Sequence, residues 1–211
     1  MIVNCPDRRT LFRFVLAAAA LGVGWDRTAV ASEITAPVEQ LHTGLISIMK
    51  AGKAESFRQR FETIAPVISR TFDLEAILRQ VIGPRWATLP PDKQSALADA
   101  FRRYTIASYV ANFDTYSGQR FDISPVVRAV GNDRVVETRI ASPGGSVHAL
   151  DYVMRLEGGG WKVVDVLAEG SISRVASQRS EMRSLLADGS GVGLLVSLRQ
   201  KTAQLSGGIL Q

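Results

Sequence analysis

The chain has 211 residues, with 25 Lys and Arg against 20 Asp and Glu, and 46% of its residues are hydrophobic. Its single cysteine, Cys5, and its two histidines, His42 and His148, exclude a disulfide framework, a thiolate metal site and an imidazole-rich zinc site, so we expect no metal or cofactor. The basic residues are scattered rather than clustered, which argues against a nucleic-acid partner.

The N-terminus has the pattern of an export signal. Three arginines precede an uncharged run at residues 14–25, which is too short to span a bilayer as a helix. The small residues at 29–31 then predict cleavage after Ala31. We therefore expect a cleaved signal peptide at residues 1–31, a single domain at 32–211 and a periplasmic location. Two adjacent arginines leave the export route open between the Sec and twin-arginine pathways. The alternative to a signal peptide is that this segment forms an N-terminal helix of the folded domain.

Helical periodicity fills the first half of the chain. Apolar residues recur at helical spacing over residues 33–51 and 54–69. Asp73 is placed to cap a short helix that runs to Val81, and Gly83, which a proline follows, ends it.

The longest helix is predicted to begin near Pro91. The amides of the first helical turn have no partner within the helix, so a proline, which has no N–H, costs nothing there. One face of this helix carries Leu97, Phe101, Tyr104 and Ser108.

Near Phe121 the spacing of apolar residues changes from a helical period of 3.6 to the alternation typical of a strand, and glycine-rich turns appear. The pattern predicts four strands, at residues 121–130, 133–141, 146–157 and 160–168. The connections are short, so neighbouring strands must be antiparallel. Two helices, at about residues 173–187 and 192–205, close the chain.

This order of elements predicts an α+β domain. We expect a curled antiparallel sheet of about four strands, packed against several helices and enclosing an apolar pocket.

Several short motifs, in this order and spacing, resemble a known family. They are Phe72-Asp73, Gly83 with Trp86, Gln94 ahead of Phe101, Val136-x-Thr138-x-Ile140, Tyr152, the run at residues 161–166, the run at residues 169–173, Arg179, and Gly189 with Leu194. On these motifs the chain from about residue 35 to 200 resembles the MlaC-like periplasmic lipid-binding proteins, also called toluene-tolerance auxiliary components. It departs from their pattern at Met182, where an aromatic residue is usual, and at residues 171–173, which vary the usual Gly-x-Ser.

The resemblance implies a soluble carrier of phospholipid without catalytic activity. It also implies two kinds of partner, an inner-membrane ABC transporter complex and an outer-membrane lipoprotein complex. A sister branch is associated with hopanoid biosynthesis, so hopanoid is the alternative cargo.

The alternation of the strands suggests which side chains line the pocket. In the second strand the inward set is Val136, Thr138 and Ile140, and in the third strand it is His148, Leu150, Tyr152, Met154 and Leu156. Both alternations of the fourth strand are apolar, so the pattern does not choose its pocket face. The candidate lipid-binding residues are Leu97, Phe101, Tyr104, Val136, Ile140, Leu150, Tyr152, Met154, Val164 and Val166.

Two other classes of function stay open at this point. A small enzyme of the isomerase or dehydratase type would use Asp165 with Tyr104 or Tyr152, whereas a structural envelope module would need no cavity. His148 and Asp151 lie on opposite faces of one strand, which argues against an acid-base pair.

Three further polar residues have predicted structural roles. We expect Asp165 and Glu169 to form hydrogen bonds near a strand end, and Arg179 to pair with an acidic residue, with binding of a lipid headgroup as its alternative role.

Overall fold

The computed structural model describes residues 25–210, which form six α-helices and five β-strands. The helices are α1 (Trp25–Ala51), α2 (Phe57–Thr71), α3 (Leu74–Ile82), α4 (Pro91–Asn112), α5 (Arg174–Met182) and α6 (Val192–Leu205). The strands are β1 (Arg120–Val130), β2 (Asp133–Ala141), β3 (Val147–Glu157), β4 (Gly160–Ala168) and β5 (Ile172–Ser173). The α+β class is confirmed, and the sheet is antiparallel, ordered β1 to β5 and not closed into a barrel.

Local sequence signals set the helix starts. Ser56 and Gln59 form a capping box at α2, and the Asp73 carboxylate accepts the Ala76 amide at 2.9 Å, as predicted for the start of α3. Helix α4 begins at Pro91 as predicted, but at 22 residues it is shorter than α1, which has 27. The difference arises because α1 begins at Trp25 and includes the predicted cleavage sequence at 29–31, while the rest of the predicted signal peptide, residues 1–24, lies outside the described residues.

The sheet differs from the prediction in its strand count and at the ends of β3. The fifth strand, β5, has two residues, which is too short to show a period in the sequence. His148 and Leu156 were expected to face inward, but both are exposed, Leu156 at 57%, because they lie at the two ends of β3 where no helix covers them.

Strand β4 contains a bulge that the sequence does not reveal. Val153 pairs with Asp165, but the next residue of β3, Met154, pairs with Val163, so Val164 is the extra residue. Directly paired residues share a face, so Val163 rather than Val164 lies beside Met154 on the helix-covered face. The bulge explains why both alternations of β4 are apolar.

Helix α1 packs on the sheet through a buried polar pair. His42 Nε2 lies 3.3 Å from the Tyr152 hydroxyl, and the imidazole ring lies 4.6 Å from the Phe121 ring. Burial lowers the pKa of His42 to about 4, because the charged imidazolium would lose its hydration there. It also raises the pKa of Tyr152 well above its ordinary value, so both groups are neutral at neutral pH.

The first prediction concerns acid stability. The folded state holds the pKa of His42 at about 4, below the ~6.5 of an unfolded chain. The contribution of His42 to the free energy of unfolding is therefore full above pH ~6.5. It is lost as the pH falls toward 4, because the unfolded chain binds the proton first. The loss amounts to on the order of 3 kcal/mol over this window. His42→Gln, which does not titrate, should flatten the fall in the free energy of unfolding between pH 6.5 and 4, measured by urea unfolding. The control His148→Gln should retain the fall, and an unchanged slope in His42→Gln would contradict the assignment.

Candidate functional site

A cavity of about 400 Å³ lies between the sheet and helices α3, α4 and α5. Its apolar wall is formed by Phe72, Leu74, Ile77, Phe101, Tyr104, Tyr109, Phe113, Leu150, Val166, Ala168 and Val175. Its polar lining is formed by Thr105, Ser108, Asn112, Asp165, Arg174 and Gln178. The volume is at the low end of the ~300–1,000 Å³ usual for small-molecule sites.

Helix α4 supplies one wall through residues spaced three and four apart. The polar groups on this wall bond within their own helix: Ser108 Oγ donates to the Tyr104 carbonyl, and Asn112 Nδ2 donates to the Ser108 carbonyl, both at 2.8 Å. The Thr105 hydroxyl is buried and has no hydrogen-bond partner among the described residues. The wall therefore presents neutral side chains to the cavity.

Aromatic rings continue from this wall toward α1. The centre of the Tyr109 ring lies 5.6 Å from that of Phe72 and 5.9 Å from that of Phe113, on which it stacks. The ring centres of Phe113 and Phe121 are 6.1 Å apart. Burial raises the pKa of Tyr109 far above its ordinary value, so the phenol does not ionise at neutral pH. The deep part of the cavity is accordingly uncharged.

Asp165 connects β4 to the start of α5. Its carboxylate accepts the main-chain amides of Val166 at 2.7 Å and Val175 at 3.1 Å, and it also accepts the Ser173 hydroxyl. A carboxylate at a helix N-terminus is favourable because the free amides there carry partial positive charge. Both oxygens are engaged, which suits a structural link better than a general base.

The structure places four of the ten candidate residues on this cavity. Phe101, Tyr104, Leu150 and Val166 line it. Leu97, Val136, Ile140, Tyr152, Met154 and Val164 do not. The lipid-binding role of all ten remains a prediction.

Tertiary packing explains why these six lie elsewhere. Leu97 lies beneath Gly191 at the start of α6, and Tyr152 meets His42. Val136 and Met154 belong to the buried core, Ile140 lies beside Phe121, and Val164 is the bulge residue.

Helices α3 and α5 contribute to the cavity, which the sequence pattern did not indicate. Leu74 and Ile77 lie three apart on an apolar face of α3, a spacing that could have indicated them. Arg174 and Gln178 of α5 lie four apart, but helical spacing alone does not indicate that this face meets a cavity.

The other polar residues singled out from the sequence, His148, Glu169 and Arg179, form hydrogen bonds within the fold. His148 Nδ1 lies 3.1 Å from the Glu169 carboxylate, which matches the expected hydrogen bonding of Glu169. The expectation for Arg179 is wrong: its Nε donates to the Gln80 carbonyl at 2.8 Å, and it forms no ion pair with the described residues. Its guanidinium satisfies a free carbonyl in the last turn of α3 instead.

Of the proposed enzyme pairs, Asp165 and Tyr104 share the cavity, whereas Tyr152 does not line it. Among the side chains that the structure describes, those of residues 30–210, no group of three or more His, Cys, Asp and Glu is placed to hold a metal ion. None of the helices in the same range is long and apolar enough to cross a membrane.

An antiparallel sheet with helices over one face and an apolar cavity between them defines a small-molecule-binding α+β domain. The family model described as MlaC protein matches residues 39–200, which is most of the chain. The chain therefore belongs to the MlaC family, whose members are binding or transport proteins.

A solved structure supports the same fold. The phospholipid-binding protein from Ralstonia solanacearum, determined in complex with a phospholipid, superposes with a TM-score of 0.71 at 21% identity. The match covers 82% of this chain and 99% of that one. No curated protein matches the chain.

The second prediction tests whether Asp165 is a structural link. Asp165→Ala should lower the free energy of unfolding by about 1–3 kcal/mol, because the Val175 amide and the Ser173 hydroxyl lose their acceptor. Urea unfolding measures the change. The control Asp122→Ala, at an exposed position of β1, should change stability little. Equal stability of Asp165→Ala and wild type would reject this role.

Proposed function

We propose that this protein is a carrier that holds phospholipid in the cavity between the sheet and helices α3 to α5. The observation that carries the proposal is the largely apolar cavity in a chain of the MlaC family. The Ralstonia protein of the same fold, crystallised with a phospholipid, supports it.

A carrier needs such a wall because of the cost of exposing acyl chains to water. Each methylene transferred from water to an apolar site contributes about 0.8 kcal/mol, so two long chains cannot cross an aqueous space unassisted. A wall of aromatic and aliphatic side chains binds them without directional bonds. Such binding is similar in kind to that of a bilayer, which lets the cargo be returned.

The cellular setting is part of the proposal. We expect export to the periplasm and shuttling between an inner-membrane transporter complex and an outer-membrane lipoprotein complex. The sequence has no Gly-x4-Gly-Lys-Ser/Thr phosphate loop, so energy for transfer through that kind of site would come from a partner. Contact with the partner would open the cavity and avoid release of the lipid into water.

The third prediction tests the cavity by filling it. Ala168→Trp places a large ring inside the cavity and should strongly reduce the phospholipid that co-purifies with the protein, quantified by native mass spectrometry and lipid extraction. The matched control is Ala129→Trp, at an exposed alanine of β1, which should retain the wild-type lipid content.

Thermal melts of both variants separate loss of the site from loss of the fold. A folded Ala168→Trp variant with unchanged lipid content would contradict the proposed site. Absence of lipid from the wild-type protein, together with failure to load phospholipid from vesicles, would reject the carrier function itself.

The fourth prediction concerns the mature N-terminus. Ser32 and Glu33 are exposed, and Ile34, just beyond them, is buried in the core at 2% exposure. Cleavage after Ala31 would therefore leave Ile34 and the buried α1 residues that follow it in the mature chain. N-terminal sequencing of protein from a periplasmic extract should begin at Ser32. An intact N-terminus on protein retained in the cytoplasm would contradict export.

A further inference from the structure

Helix α6 exposes a stripe of apolar side chains next to a cation. Val192 and Val196 are 43% and 47% exposed, and Arg199 is exposed as well. These residues are four and three positions apart in the helix, so their side chains share one face. The buried residues of α6, which include Leu194 and Leu198, lie on another side. None of the α6 residues, all of which the structure describes, lines the cavity between the sheet and helices α3 to α5, so the stripe is a separate surface.

A groove of about 380 Å³ between α4 and α6 adds positive charge beside this stripe. Arg199 lines the groove from α6, and Arg103 and Asp99 line it from α4. The Asp99 carboxylate accepts a hydrogen bond from Arg102 at 2.8 Å, which places a third guanidinium at the groove. Three arginines therefore accompany one aspartate, and this part of the surface has a surplus of positive charge.

Acidic residues do not offset this charge along the helix. Residues 192–211 contain two basic residues and no Asp or Glu. The acid that precedes α6, Asp188, accepts the Ser190 amide at 3.0 Å and the Ser190 hydroxyl at 2.7 Å, so its carboxylate is held in the loop before the helix. A face with exposed valines, a basic border and no acid of its own fits a partner that is anionic at its surface and apolar just beneath.

We propose that the α6 face formed by Val192, Val196 and Arg199 docks on the surface of a membrane that contains anionic lipid. The two valines enter the boundary between headgroups and acyl chains, and the arginines lie among the lipid phosphates. A guanidinium suits that position because its paired N–H donors match phosphate oxygens. Two valines bury little apolar area, so the attachment is weak and reversible. This inference goes beyond the proposed carrier function and holds whatever occupies the cavity.

The test measures how the exported protein partitions onto vesicles. One set of vesicles contains phosphatidylcholine alone, and the other contains phosphatidylglycerol as well, and co-sedimentation gives the bound fraction. Wild type should bind the anionic vesicles roughly tenfold more tightly than the neutral ones, because several arginines lie at the docking face. The difference should shrink as sodium chloride is raised, since salt screens exposed charges.

Matched variants assign the binding to α6. Arg199→Gln should weaken binding to the anionic vesicles about fivefold, and Val196→Asp should weaken it further, because the new carboxylate is repelled and the apolar contact is lost. The controls Arg70→Gln, in the last turn of α2, and Val126→Asp, at a β1 position that is 67% exposed, should bind as wild type does. All four variants share one N-terminus, so that segment cannot cause a difference among them, and thermal melts check that each folds.

Two results would overturn the docking face. The first is equal binding of Arg199→Gln and Arg70→Gln, or of Val196→Asp and Val126→Asp, to the anionic vesicles. The second is absence of wild-type binding to those vesicles. If wild type instead bound immobilised polyglutamate, the partner would be an acidic polypeptide rather than a membrane.

Docking through α6 is distinguishable from lipid uptake through the cavity. Ala168→Trp, which fills the cavity, should bind the anionic vesicles as tightly as wild type, whatever its lipid content. Loss of vesicle binding in a folded Ala168→Trp variant would assign the binding to the cavity and overturn the role of α6. Loss of lipid loading with vesicle binding retained would leave the docking face in place and bear on the carrier function alone.

Discussion

The extra residue in strand β4 determines how the helices meet the sheet. Because Val164 is unpaired, Val163 lies beside Met154. The Val163 carbonyl accepts a hydrogen bond from the Asp73 amide at 3.0 Å, which fixes the start of α3. Beyond the bulge, Asp165 reaches the first turn of α5. One irregular strand thus contacts both helices that border the cavity, α3 and α5, which also bond to each other through Arg179 and the Gln80 carbonyl.

Several polar groups of this cavity form hydrogen bonds within the protein itself, which agrees with a binding or transport protein. Both carboxylate oxygens of Asp165 accept hydrogen bonds, Ser108 and Asn112 bond within α4, and Tyr109 stays neutral because burial raises its pKa. A general base needs an oxygen or nitrogen free to accept a proton from substrate, and a nucleophile needs such a base beside it. The cavity instead presents mostly apolar side chains.

The sequence predicted much of the fold, but less of the cavity. Period-two patterning and glycine turns placed the four long strands within one residue of their observed ends, because local sterics and turn chemistry set these ends. Which apolar residues face a cavity rather than the core depends on which helix covers them. Tyr152 and Phe101 both lie on apolar faces, yet α1 covers the first with His42, while the second opens onto the cavity. The bulge at Val164 leaves no local signal, since Val163, Val164 and Val166 all fit either face.

The size of the cavity constrains its empty state. At about 24 cal/mol per Å³, an enclosed dry void of about 400 Å³ would cost on the order of 10 kcal/mol. That is comparable to the whole stability of a domain, roughly 5–15 kcal/mol. A fold of this size does not maintain such a void as an enclosed dry space, which agrees with the exposure of Asn112 and Arg174 on its lining. In the proposed function, a bound lipid would displace water from this apolar wall, and that displacement would favour uptake. The same effect would oppose release into water, so the proposed carrier would need a second apolar surface for exchange.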